Sequence, residues 1–142
     1  MASGDENNVP VNMVNAILMR MHLSGEITKM TDKKFDLIKE GVSYYKKIRK
    51  YKNEFLPFYP YGLTDTNASV TCVGYSTKDM VFYAFWKFDD KKSEFKLPLK
   101  YPIKSAIIGY PENTDSMVEL THHELIVNIK SKNSAIIIEC ER

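Results

Sequence analysis

The sequence predicts a mainly β chain with N-terminal helices: an αα-hairpin followed by an antiparallel β-sandwich of about seven to eight strands. Three observations carry this. Up to residue 55, apolar residues recur at steps of three and four, the period of a helix face. Beyond residue 68 they alternate, and Val, Ile, Tyr and Phe dominate, as in strands. Between the two lies Leu56-Pro57-Phe58-Tyr59-Pro60-Tyr61-Gly62-Leu63. Its two prolines and glycine rule out a helix or a central strand, and its three aromatics do not suit a loose linker. The chain therefore divides into a helical segment at 1–55, a hinge at 56–68 and a sandwich at 69–142. At 142 residues it is long enough for one core of good size.

The first helix is expected over about Val11 to Leu23. Val14, Ile17, Leu18 and Met21 fall at i, i+3, i+4 and i+7, while Val11, Met13, Ala16 and Met19 widen the stripe. A helix apolar over so much of its circumference expects neighbours on more than one side. Asn8 or Asn12 would cap its start, and Ser24-Gly25 would end it. The second helix is expected from Asp32 to Tyr51. Thr31 is placed as N-cap, Asp32 favours the positive end of the dipole, and Met30 and Phe35 hold the two positions of a hydrophobic staple. Phe35, Ile38, Val42, Tyr45 and Ile48 should form its buried face, flanked by Leu37 and Tyr44.

Seven strands are expected in the sandwich: Ser69–Ser76, Met80–Phe88, Glu94–Leu99, Ile103–Tyr110, Ser116–Leu120, Glu124–Lys130 and Ala135–Glu141. The gaps between them carry turn residues and are short, so the pairing is mainly antiparallel. Met80 to Phe88 has Met80, Phe82, Ala84, Trp86 and Phe88 on one face, and Val81, Tyr83 and Phe85 on the other. Both faces need cover, one from the opposing sheet and one from the helices or the Leu56–Leu63 aromatics. Ala135 to Cys140 repeats this, with Ile136 and Ile138 on one face and Ile137 on the other.

Site chemistry is sparse. No glycine-rich phosphate loop is present. His122 and His123 are adjacent and make no zinc spacing; a turn or strand start is their ordinary role. His22, on the apolar first helix, reads as a structural histidine. Cys72 and Cys140 sit in apolar strand-like runs and are expected as buried free thiols. The acidic residues fall in turns, at strand ends and on helix surfaces, without a buried pair for glycoside chemistry. No catalytic, substrate-binding or metal residue is assigned, and no cofactor. From Lys29 to Lys52 the net charge is +6, leaving −4 for the rest. Lys39, Lys46, Lys47 and Lys50 read as a solvated helix face, with phosphate contact as the sharper alternative. Trp86, Tyr83 and Tyr75 would make a sugar-stacking platform if exposed together; core packing is the plainer role.

Asn12-Met13-Val14-Asn15-Ala16-Ile17-Leu18-Met19-Arg20-Met21-His22-Leu23-Ser24-Gly25 resembles a stretch near the end of the catalytic barrel in bacterial α-galactosidases of the melibiase type. The likeness continues through Lys39-Glu40-Gly41-Val42-Ser43-Tyr44-Tyr45-Lys46, the Leu56–Leu63 stretch and the aromatic strand Met80–Phe88. It implies a retaining hydrolase in which a (β/α)₈ barrel precedes an antiparallel β-sandwich. The family's nucleophile and acid/base carboxylates lie on barrel strands upstream of everything matched, so no position here corresponds to them. The resemblance therefore implies a non-catalytic C-terminal region buttressing the barrel, the partner missing from this chain. A stand-alone carbohydrate-binding or protein-interaction sandwich is the alternative.

Further expectations concern the setting. Met1-Ala2-Ser3-Gly4 reads as a loose end that runs almost directly into a helix, as if entering mid-structure. Self-association through the first helix would follow from barrel-facing apolar surface. No nucleic-acid or membrane partner is expected: no apolar run approaches the roughly 20 residues of a membrane span. Met1 to Pro10 is polar and acidic, unlike a signal peptide, so a cytoplasmic, reducing location is expected.

Overall fold

A computed structural model describes residues 8–19, 21–22 and 27–142. Two helices, α1 (Asn8–Ile17) and α2 (Asp32–Ile48), precede eight strands. These are β1 (Leu56–Phe58), β2 (Val70–Ser76), β3 (Met80–Lys87), β4 (Glu94–Pro98), β5 (Ser105–Tyr110), β6 (Met117–Leu120), β7 (Glu124–Asn128) and β8 (Ser134–Glu141). A five-stranded sheet runs β1-β2-β3-β8-β5 and a three-stranded sheet β4-β7-β6, with every pairing antiparallel. The seven strands expected from alternation are present with ends shifted by at most two residues. The eighth, β1, comes from the hinge. Pro57 is tolerated there because β1 is an edge strand, paired on one side only.

The molecule has three layers. Strand β3 is central in its sheet, paired from Met80↔Glu141 to Lys87↔Ser134 with β8 and from Val70↔Lys87 to Ser76↔Val81 with β2. Its two apolar faces have two separate covers. Phe82 and Ala84 lie under the helices with Ala135 and Ile137. Val81, Tyr83 and Phe85 face the three-stranded sheet with Ile136, Ile138 and Cys140, against Leu97, Leu125 and Val127. The helices are thus the second layer that alternation called for, and Phe58 and Tyr61 of the hinge pack on the sandwich side instead.

Both helices depart from their expected outlines. Helix α1 starts three residues early, because Pro10 sits within its first turn, where a missing N–H costs nothing. It ends at Ile17 rather than near Leu23, which lies outside the described residues together with Ser24, Gly25 and residues 1–7. Asn8 and Asn12 are inside the helix rather than caps. Thr31 caps α2 as expected, its hydroxyl accepting from the Lys34 N–H at 3.4 Å. The buried face of α2, however, is Lys34, Ile38, Gly41, Tyr44 and Ile48. Phe35 is 46% exposed, so Tyr44 takes the central place that hydropathy assigned to its neighbours. Gly41 explains the rotation: a Cβ there would run into the Met13 methyl and lie 3.4 Å from the Tyr110 ring. The bare backbone lets α1 approach closely, and no hydropathy stripe marks it.

Candidate functional site

Sequence-derived candidates fall in three different environments. Trp86 is half-buried under the helix layer and its indole N–H points to the Val11 carbonyl at 3.4 Å. Tyr75 packs on Phe55 on that same side, with ring centroids 5.2 Å apart. Tyr83 is fully buried on the opposite face, between the sheets. The three therefore form no common stacking surface, since i and i+3 on a strand point to opposite sides. His22 lies outside α1 and is exposed. His122 and His123 are exposed in the β6–β7 turn. No group of three His, Cys, Asp or Glu among the described residues could hold a metal ion. Cys72 and Cys140 are free and buried on β2 and β8, on either side of β3; burial pushes both thiols up, Cys140 to about 12.

Lys39, Lys46, Lys47 and Lys50 are exposed, as expected of a solvated face, and three lysines at and just beyond the end of α2 lie over the protein's own tyrosines. Lys47, Lys50 and Lys52 sit 5.7, 5.0 and 4.3 Å from the ring centres of Tyr44, Tyr51 and Tyr45. Lys47 also pairs with Glu139 at 3.5 Å, and the same carboxylate accepts the Tyr44 hydroxyl at 2.9 Å.

Two surface depressions bear on function. One, of about 410 Å³, lies between α2 and the β5–β6 connection and is edged by Asp36, Glu40 and Asp115. A carboxylic acid kept protonated for glycosidic cleavage needs a desolvated setting. Among the described residues the buried polar side chains are Lys34, Ser76, Thr77, Lys87 and Ser116, with no carboxylate. The second, of about 300 Å³, lies where Phe58-Tyr59-Pro60 meets Pro98-Leu99-Lys100. Tyr101 beside it has Arg142 stacked at 4.2 Å and the Lys100 ammonium at 5.6 Å from its ring centre. The Ser76 hydroxyl is 3.2 Å from the Tyr101 oxygen. That hydrogen bond first, and then the nearby cations, hold the phenol below its ordinary range. Local periodicity missed this cluster, because its members come from β1, the β4–β5 connection and the end of β8.

The Tyr83 hydroxyl has no hydrogen-bond partner inside the sandwich. Tyr83→Phe is therefore expected to raise stability by about 1 kcal/mol, because an unpaired buried hydroxyl carries its desolvation cost uncompensated. A denaturation midpoint below wild type would contradict this.

No protein-family model and no curated protein sequence matches the chain. Among solved structures, the fold matches a GH27 β-L-arabinopyranosidase from Geobacillus stearothermophilus, solved in complex with arabinose, with a TM-score of 0.63. Identity is 12%, and the match covers 100% of this chain but 32% of that one. At that identity the likeness is one of fold, and the chain spans less than a third of that enzyme's length.

Proposed function

We infer that this chain is a non-catalytic accessory region of an α-galactosidase-like glycoside hydrolase, buttressing a catalytic barrel carried on other sequence. The observation that supports this most is the fold match over the whole chain to part of a glycoside hydrolase. The substrate named for the structural neighbour is compatible with α-galactosides, since a β-L-arabinopyranoside has the ring configuration of an α-D-galactopyranoside without its hydroxymethyl group.

Helix α1 offers a surface for the partner. Its ten residues include no charged one, and Asn8, Asn12 and Asn15 form its exposed side. Loss of charge is typical of interface cores. The apolar surface expected to drive self-association through this helix is turned inward, with Val9, Met13, Val14 and Ile17 buried in the core between helices and sheet. A cytoplasmic setting belongs to the same reading, supported by two buried free thiols. Among the described residues no helix is long and apolar enough to cross a membrane.

The purified chain is expected to leave p-nitrophenyl α-D-galactopyranoside and the matching β-L-arabinopyranoside uncleaved. Turnover that copurifies with the chain through successive columns would sink the reading.

A further inference from the structure

The depression between α2 and the β5–β6 connection is unsuited to cleavage but not to binding. Its volume of about 410 Å³ falls within the roughly 300–1,000 Å³ of small-molecule sites. Leu37, Pro111 and Ala135, half-buried or buried, supply apolar surface. Carboxylates stand on both sides: Asp36 and Glu40 one turn apart on α2, and Asp115 on the connection. Ser116 adds a second kind of polar group. It is 9% exposed, and it lines this cavity. Its backbone N–H donates to the Thr114 hydroxyl oxygen at 3.1 Å, but its own hydroxyl has no hydrogen-bond partner among the described residues. A hydroxyl so nearly buried is costly until it is completed from the cavity side. Solvent can do this in the free chain, and a ligand hydroxyl, which both donates and accepts, can take the same place.

The hydrogen-bonding groups select the class of ligand. Carboxylates only accept, whereas the Ser116 hydroxyl accepts and donates. A matching ligand is rich in donors, carries acceptors as well, and has an apolar side for Leu37 and Pro111. A pyranose has all three, in its vicinal hydroxyls and its C–H face. A cationic ligand fits less well. Lys33 already places an ammonium on the α2 side, and the nearly buried polar group is the neutral Ser116, while Asp36 and Asp115 are exposed. We propose that this cavity binds one neutral hexopyranose of the galactose class without cleaving it. One sugar hydroxyl meets Ser116, and others donate to Asp36 and Asp115. The polyol character rests on the lining groups; the choice of a galactoside rests on the α-galactosidase-like reading.

The test is a titration of the isotope-labelled chain, followed by amide NMR, with methyl α-D-galactopyranoside, glycerol and putrescine as probes. The galactoside is expected to bind saturably, in the millimolar range, and to shift Leu37, Thr114, Asp115 and Ser116. Glycerol and putrescine should bind at least about fivefold more weakly. Ser116→Ala should weaken the galactoside about fivefold, the loss of one neutral hydrogen bond, and Asp115→Asn about tenfold. Lys39→Gln, on α2 but outside the cavity, should bind as wild type does. The Ser116 hydroxyl bonds nothing within the described chain and Asp115 is exposed, so the urea midpoints of these variants should match wild type. Absence of saturable shifts, shifts confined to another surface, equal binding of glycerol or putrescine, or unchanged affinity in the Ser116 variant would overturn the proposal. A failed titration removes this site and leaves the accessory-region reading in place, because the turnover assay tests that reading separately.

Discussion

Lys87→Ala should destabilise the chain by about 3 kcal/mol, and Lys87→Met by about 1–2 kcal/mol. Lys87 ends β3 on the sandwich side and is 1% exposed. Its ammonium donates to the Ile129 carbonyl at 2.8 Å and the Lys130 carbonyl at 3.1 Å, tying the five-stranded sheet to the segment between β7 and β8. Alanine removes both the donors and the methylene stem, which leaves a void as well as two carbonyls short of a partner. Methionine keeps the stem and removes only the donors. Relief of ammonium desolvation offsets part of that loss, which is why the methionine figure is the smaller. Urea denaturation of both variants separates stem from amine. If the methionine variant were as stable as wild type, the ammonium would not be what holds these carbonyls in place.

Alkali should unfold the protein cooperatively. Burial raises the phenols of Tyr44, Tyr61, Tyr83 and Tyr110 well above their ordinary range. For Tyr44 the Glu139 carboxylate adds its field and its hydrogen bond, and for Tyr110 Glu40 adds its field. The thiols of Cys72 and Cys140 are raised by burial as well, Cys140 to about 12. Each is an acid whose folded pKa exceeds its unfolded value. Its contribution is complete below the unfolded pKa and is lost as pH rises towards the folded one. Between roughly pH 9 and 12 the unfolded chain has released protons that the native chain keeps, so stability falls with rising pH. The urea midpoint should be flat through neutrality and drop from about pH 9 upward. Tyrosinate absorbance should show Tyr101 ionising in the folded protein, and the buried phenols only together with loss of near-ultraviolet dichroism. Smooth titration of all the phenols with dichroism intact would refute this.

Much of the architecture was legible because burial on both faces leaves a plain mark. Phe82 and Ala84 against Val81, Tyr83 and Phe85 required cover on two sides, and the helices and second sheet supply it. Alternation also contained a sign that hydropathy alone passes over. Lys87 continues the inward series Val81, Tyr83, Phe85 and is buried like them, at a place where a charge implies a specific partner. The cluster at Tyr101 was not legible. Phe58, Tyr101 and Arg142 are far apart in sequence, and nothing in the local pattern of any one of them points to the others.

By itself the sequence determined the kinds of element, their order and the faces they bury, since these follow from period and turn chemistry over a few residues. Tertiary structure alone decided how the layers meet. Tyr110 follows Ile108 by two residues and by alternation belongs on the sandwich side. A register shift between Ile108 and Tyr110 carries it to the helix side, where its hydroxyl reaches the Leu37 carbonyl at 2.9 Å. Gly109 sits in that shift because a Cβ there would strike the Tyr44 ring. The side chain that forbids any larger residue at Gly109 is 65 positions away in the chain, on α2. A constraint of that range exists only once helix and sheet are packed.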